Sequence, residues 1–273
     1  MKIAASVTPN KTKFGPLLYP GDIVRALKEL SEMGYDGIEL SLRTPDDIKK
    51  KELFKLLDKY DMELLSIATG QSFIEDSISL FTLDEEKRKE AVRRIRGYID
   101  IVSETGGCVI LGGIKGKLEG TDDKKQFESG SSAVADCLSY AEKSGAVLLL
   151  EAINRYETNL FNTVASCTDY VKAMKSSLLK VLPDTYHMNI EERSIYDALD
   201  DASDVVGAIH CADNNRLAPG MGHIDFRSIL SQVKTFKNLK YIGVEVLPLP
   251  ESKECAQTAI NTIRGCLNEE VVK

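Results

Sequence analysis

The chain repeats one pattern eight times: a short apolar run, a polar loop, then a stretch with helical periodicity. The apolar runs are KIAASV (2–7), DGIELSL (36–42), MELLSIAT (62–69), CVILGG (108–113), AVLLLEAIN (146–154), LKVLPD (179–184), VVGAIH (205–210) and KYIGVEV (240–246). They are apolar on both faces, as strands of a fully covered parallel sheet must be. Strands alternating with helices build βαβ units. Eight units in 273 residues favour closure into a (β/α)8 TIM barrel, which occupies about 250 residues as one domain, over an open doubly wound sheet. No linker, low-complexity segment or internal sequence repeat stands out, so residues 1–273 read as a single domain.

The helices are expected where polar and apolar positions change period. GDIVRALKELSEMG (21–34) has Asp22 near its start and Gly34 as its stop. TPDDIKKKELFKLLDKY (44–60) reads as one helix, with Thr44 as N-cap and Pro45 in the first position. GQSFIEDSISLFT (70–82) reads as a long loop before a helix that begins near Asp84 and runs to about residue 106. Further helices are expected over 126–145, 163–177, 191–203, 225–236, with Asp225 placed to cap it, and 251–270.

Charge and cysteine content narrow the function classes. A net charge of −7 and a pI near 5.2 argue against nucleic acid as a partner. The first residues, MKIAASVTPNKTKF, lack an apolar leader core, and no run approaches the ~18 apolar residues of a membrane span, so a cytoplasmic protein without membrane contact is expected. The six cysteines form no C-x-x-C pair and read as small buried side chains. Strand alternation turns Cys211 away from the face that His210 occupies.

The chemistry concentrates at strand ends. Glu151, Asp184, His210 and Glu245 each close an apolar run, on the fifth to eighth strands. In a barrel these strands are neighbours, and their C-terminal ends are where active sites are built. Three carboxylates and one imidazole suit one hard or borderline divalent ion, Mn²⁺, Mg²⁺ or Co²⁺, ahead of Zn²⁺. Such a site leaves room for two adjacent substrate oxygens, and a Lewis acid there favours proton removal next to a carbonyl.

Four segments, LEAINRYETNLFNT (150–163), PDTYHMNIEE (183–192), HCADNNRLAPGMGHIDF (210–226) and YIGVEVLP (241–248), resemble the D-tagatose/D-psicose (D-allulose) 3-epimerases. These are ketose 3-epimerases of the xylose isomerase-like TIM barrel superfamily. The resemblance is dense over about residues 147–250 and weaker before, where GYDGIELSL is typical only of the superfamily. It implies that Glu151, Asp184, His210 and Glu245 bind one metal, with Mn²⁺ foremost, and that Glu151 and Glu245 double as the acid–base pair. Inverting a carbon beside a carbonyl needs a base on one face and an acid on the other, and two carboxylates can exchange those roles. Glu157, His187 and Arg216 are implied to hold the substrate's hydroxyls. The resemblance also suggests a homodimer or homotetramer.

The chain departs from that pattern in places. It has no tryptophan, and SVTPNKTKFGPLLYP offers Phe14, Leu17, Leu18 and Tyr19 where large aromatics are usual. Ala152 replaces a proline. Lys115 and Lys117, in the glycine-rich loop after the fourth strand, are candidates to receive a phosphate. Gln71 is a candidate for a sugar hydroxyl. Glu39 at the end of the second strand reads as an ion-pair partner within the barrel mouth, and His223 as a loop residue. The resemblance thus implies a sugar or, if Lys115 and Lys117 face the pocket, a sugar phosphate as substrate. Competing readings are an aldose–ketose (hydroxypyruvate-type) isomerase with the same site, a sugar-binding protein without turnover, and an apurinic endonuclease, which three histidines and an acidic chain disfavour.

Overall fold

The computed structural model describes residues 1–268. Eight parallel strands are joined in order: β1 (Lys2–Val7), β2 (Gly37–Ser41), β3 (Glu63–Ala68), β4 (Cys108–Leu111), β5 (Val147–Glu151), β6 (Leu179–Leu182), β7 (Ala208–His210) and β8 (Tyr241–Val244). β1 pairs with both β2 and β8, which closes one side of the ring. The last seam, between β6 and β7, is held by bridges Val181–Val206 and Asp184–His210 and by bonds such as His210 N to Pro183 O at 2.9 Å. The expected barrel is therefore present, and two of the predicted metal ligands face each other across its closing seam.

Strand alternation divides the apolar residues into two sets. Leu148, Leu150, Val181, Ile209 and Ile242 join the large core between sheet and helices. Leu149, Leu182, Ala208 and Tyr241 join a smaller cluster in the barrel interior with Ala4, Cys108 and Ile110. Counting on by two along each interior series reaches Glu151, Asp184, His210 and Glu245. The pleat itself thus delivers these polar side chains to the barrel mouth.

Ten helices surround the sheet in the described residues: α1 (Ile23–Met33), α2 (Lys50–Tyr60), α3 (Gly70–Asp76), α4 (Glu85–Val102), α5 (Asp123–Ala141), α6 (Val164–Met174), α7 (Thr185–Glu191), α8 (Ile195–Ala202), α9 (Phe226–Val233) and α10 (Ser252–Asn268). Asp22, Asp84, Thr163 and Asp225 cap their helices through side-chain oxygens. Residues 269–270 of the predicted last helix lie outside the described residues. No helix among the described residues is long and apolar enough to cross a membrane.

Three expectations need correction. Residues 44–60 do not form one helix: Thr44 caps a 3-10 turn, Pro45–Asp47, and extended Ile48 separates it from α2. The Asp47 carboxylate accepts from the Arg43 and Thr44 amides at 2.8 and 3.1 Å, which closes the turn on itself. Residues 70–82 are not all loop, because α3 occupies the first half. Its buried first turn is held by tertiary bonds from Gln71 and Ser72. The helix expected over 191–203 starts later, at Ile195, and residues 185–191, mostly unassigned from the sequence, form the separate helix α7.

Candidate active site

The four predicted ligand residues meet in one buried cluster. One donor atom from each of Glu151, Asp184, His210 and Glu245 lies within 4.8 Å of the others. His210 Nδ1 is 3.4 Å from Glu151 Oε1, 3.7 Å from Asp184 Oδ2 and 3.6 Å from Glu245 Oε2. Asp184 divides its carboxylate: Oδ1 caps α7 by accepting from Tyr186 N at 2.8 Å, and Oδ2 faces the cluster. Two close approaches make room. A Cβ on Gly112 would stand 2.3 Å from Glu151 Oε2, and one on Gly243 2.6 Å from His210 Cδ2.

The imidazole is oriented from behind. Its Nε2 lies 3.0 Å from Glu39 Oε2. Glu39 is fully buried and also accepts from Ser6 Oγ at 2.7 Å, Ser66 Oγ at 2.8 Å and Tyr241 OH at 3.0 Å. Burial alone would raise its pKa, but His210 and the serine hydroxyls hold it below the usual carboxylate range. An ionised carboxylate only accepts, so Nε2 carries a proton, and in the neutral ring Nδ1 turns its lone pair to the cluster. Sequence reasoning placed Glu39 in an ion pair within the barrel mouth; the structure supplies its partner, His210.

The donor set fits a divalent metal on the structure's own terms. Glu151 Oε1 and His210 Nδ1 are buried without a hydrogen-bond partner, a costly arrangement unless a cation receives them. Three carboxylates, an imidazole and a carboxylate behind that imidazole match the chemistry of a borderline ion site. Without a cation the cluster holds protons. Burial, with Glu245 and Asp184 close by, pushes the Glu151 carboxyl up to about 7. Burial works against a charged His210, yet Glu39 and the three cluster carboxylates raise its pKa well above the ordinary value.

The cluster forms one end of a cavity of about 370 Å³. Arg216 enters beside it: Nη1 donates to Asp184 Oδ2 at 2.6 Å, and Nη2 donates to Glu245 Oε2. Its guanidinium stacks 4.8 Å over the Tyr186 ring. Its backbone is left-handed, φ 63°, and bonded to Asp213 O and Leu247 N, each at 2.9 Å. Asp213 in turn accepts from the amides of Asn214, Gly220, Gly222 and Ile224 at 2.8–3.1 Å, which ties the whole loop down.

Asn154 determines how His187 faces the cavity. Its Oδ1 accepts from Tyr156 N at 3.0 Å, which fixes the amide. Its Nδ2 then reaches Glu157 Oε1 at 3.0 Å and His187 Nδ1 at 2.7 Å. His187 Nδ1 is thus an acceptor, and Nε2–H is the donor on the Asp184 side, 4.0 Å from Asp184 Oδ2. Burial lowers the His187 pKa to about 3, so the ring stays neutral.

The sequence model of the family described as "Xylose isomerase-like TIM barrel" matches residues 27–265. The chain belongs to this family. A 3-dehydro-D-guloside 4-epimerase of Escherichia coli (strain K12) is 28% identical over 238 residues, covering 83% of this chain and 88% of that protein. A D-psicose 3-epimerase of Enterocloster bolteae is 27% identical over 233 residues, covering 83% and 76%. The solved D-allulose 3-epimerase from Methylomonas sp. in complex with D-allulose superposes with a TM-score of 0.82 at 22% identity, covering 97% of each chain.

This xylose isomerase-like barrel places the remaining candidates unevenly. Glu157, His187, Arg216 and Lys115 line the cavity. Lys117 is exposed and outside its lining. Gln71 is buried on the far side of α3, its amide nitrogen donating to Thr8 Oγ1, Ser41 O and Ser41 Oγ at 3.0–3.1 Å, so it is not brought to the cavity. Of the four early side chains singled out, Phe14 reaches the lining, together with neighbouring Gly15 and Pro16; Leu17, Leu18 and Tyr19 are buried away from it. His223 sits in the loop after β7, its backbone N donating to Asn214 Oδ1 at 3.0 Å. Cys211 is buried behind the site.

Proposed function

We propose that this protein is a divalent-metal-dependent sugar epimerase that inverts a carbon next to a ketone, C3 of a ketose in the first instance. The observation that carries the reading is the pair Glu151 and Glu245. Both carboxylates reach the same cavity, from strands separated by β6 and β7, and both lie within 3.6 Å of His210 Nδ1. Relatives that span most of this chain and are named as epimerases support it.

Glu151, Asp184, His210 and Glu245 would hold the ion. When bound, a divalent cation supplies Lewis acidity to a carbonyl oxygen and makes the adjacent C–H more acidic. The protein does the rest. One glutamate takes the proton from the carbon and the other returns a proton to the opposite face, so either epimer is a substrate. Arg216 and His187 Nε2–H donate to substrate oxygens, and Glu157 at the rim accepts from a hydroxyl. Phe14, Pro16, Phe73 and Leu247 line the outer wall and limit water.

A second reading keeps the same site and moves the chemistry one carbon. The first relative is named for inversion at C4 of a dehydro-guloside. C4 of a 3-keto sugar and C3 of a 2-ketose are both α to a ketone, so one acid–base pair serves either. NMR in D₂O with Mn²⁺ decides. Deuterium at C3 with the C3 epimer supports the ketose reading; label at C4 of a 3-keto-glycoside supports the other. Label at C1 or C2 with an aldose product would make the protein an isomerase instead.

A further inference from the structure

Lys115 is the only lysine lining the cavity among the described residues, and it is 1% exposed. It sits on a 3-10 turn, Gly113–Lys115, held from two sides. Leu80 N and Phe81 N donate to Ile114 O and Lys115 O at 2.8 and 3.1 Å, and Thr158 Oγ1 donates to Gly116 O at 2.8 Å. The side chain folds back on its own turn, and its one hydrogen bond among the described residues is a long one, Nζ to Gly112 O at 3.4 Å. Gly112 is the residue that abuts Glu151 Oε2. The turn is therefore pinned, and the ammonium lies beside Gly112, on the Glu151 side of the cavity but beyond ion-pair distance of that carboxylate.

An ammonium has three donors, and this one pairs with no carboxylate within ion-pair distance among the described residues. Leaving it so in a buried place is unfavourable, because the charge has given up water and received little in return. A structural lysine would show a partner. A ligand group entering the cavity supplies one.

We propose that Lys115 is a substrate-binding residue: its ammonium donates to a hydroxyl or keto oxygen of an uncharged sugar, next to Glu151. This rests on the sugar-epimerase reading given above. A phosphate ester fits less well. Glu39, Glu151, Asp184, Glu157 and Glu245 stand against only Arg216 and Lys115, so even with one divalent cation no positive charge is left over. A phosphate dianion would add uncompensated charge, and Lys117, the other candidate to meet it, is exposed outside the lining.

The test uses Mn²⁺-loaded protein with D-fructose, D-psicose, L-ribulose, methyl 3-keto-glucoside and D-fructose 6-phosphate in D₂O. The sugar that exchanges deuterium is then measured with Lys115→Met and Lys115→Gln. KM and the equilibrium Kd should rise roughly 10- to 100-fold in Lys115→Met, and less in Lys115→Gln, which keeps a donor. The melting temperature without sugar should stay level or increase, since an unpartnered buried charge has been removed, and Mn²⁺ content should be unchanged. Unchanged KM and Kd, with or without a lower melting temperature, would overturn the assignment. So would a preference for the sugar phosphate that Lys115→Met abolishes. If wild-type protein exchanges no carbon of any sugar, the epimerase reading itself fails and this inference goes with it.

Discussion

Glu39 on β2 meets His210 on β7 at 3.0 Å, across 171 residues of sequence. The carboxylate fixes the imidazole tautomer and turns Nδ1 toward Glu151, Asp184 and Glu245. Groups behind a ligating histidine typically contribute about 10- to 100-fold in metal affinity. Glu39→Gln should therefore weaken Mn²⁺ binding by about that factor while the barrel stays folded. Titration calorimetry checks this, and an unaltered Mn²⁺ Kd would show that Glu39 does not tune the site.

Mn²⁺ affinity should climb with pH. Cluster carboxylates and Glu39 raise the His210 pKa well above the ordinary value, and Glu151 is raised to about 7. A cation must displace these protons. Because both pKa values are raised, protons compete below about pH 7 at Glu151 and above the ordinary imidazole range at His210, so affinity is lost as pH falls. Calorimetry in two buffers of different ionisation enthalpy reads the proton release directly. No net release at pH 7 would contradict the assignment.

Glu151→Gln and Glu245→Gln should each reduce turnover by at least about 10²-fold, the usual contribution of a general acid or base. Exchange of solvent deuterium into the carbon beside the ketone is the readout, with metal content measured in parallel. Either variant keeping full turnover with metal bound would remove that residue from the acid–base pair.

Asn154→Asp should invert the His187 tautomer. The Asn154 amide now donates to His187 Nδ1 at 2.7 Å; a carboxylate there can only accept, so the proton moves to Nδ1 and the cavity-facing Nε2 loses its hydrogen. Nitrogen-15 NMR of the imidazole reports the switch, and KM should rise roughly tenfold with the lost donor. A purely structural role would lower stability without changing the ring's nitrogen shifts.

Gly243→Ala should disable the cluster without touching a ligand. The new methyl would stand 2.6 Å from His210 Cδ2, so the ring or the β8 backbone must give way. The overpacking should cost about 1–3 kcal/mol of stability, seen in chemical denaturation, together with loss of bound Mn²⁺. Full Mn²⁺ occupancy would show that the ring has room to move.

How much of this was legible in the sequence depends on the range of the interaction involved. The period-two pleat is local, so eight apolar runs specified the strands, and the same alternation carried Glu151, Asp184, His210 and Glu245 to the barrel mouth. Caps such as Asp22 and Asp225 act within one turn and were equally readable. The short helices α3 and α7 were not. At seven residues each they are too short to be stable by propensity; α3 is held by bonds to the ends of β1 and β2, and α7 begins on the buried cap Asp184. Side-chain direction within loops was also undecided. Lys115 and Lys117 lie two residues apart, but only the pinned 3-10 turn sends one into the cavity and leaves the other in solvent. Gln71 turned to Thr8 and Ser41 because α3 packs there. Sequence by itself determined which residues sit at strand ends, because that follows from local periodicity. The tertiary structure decided which of them touch, because Glu39 reaches His210, and Asp184 reaches Arg216, only once the ring of strands closes.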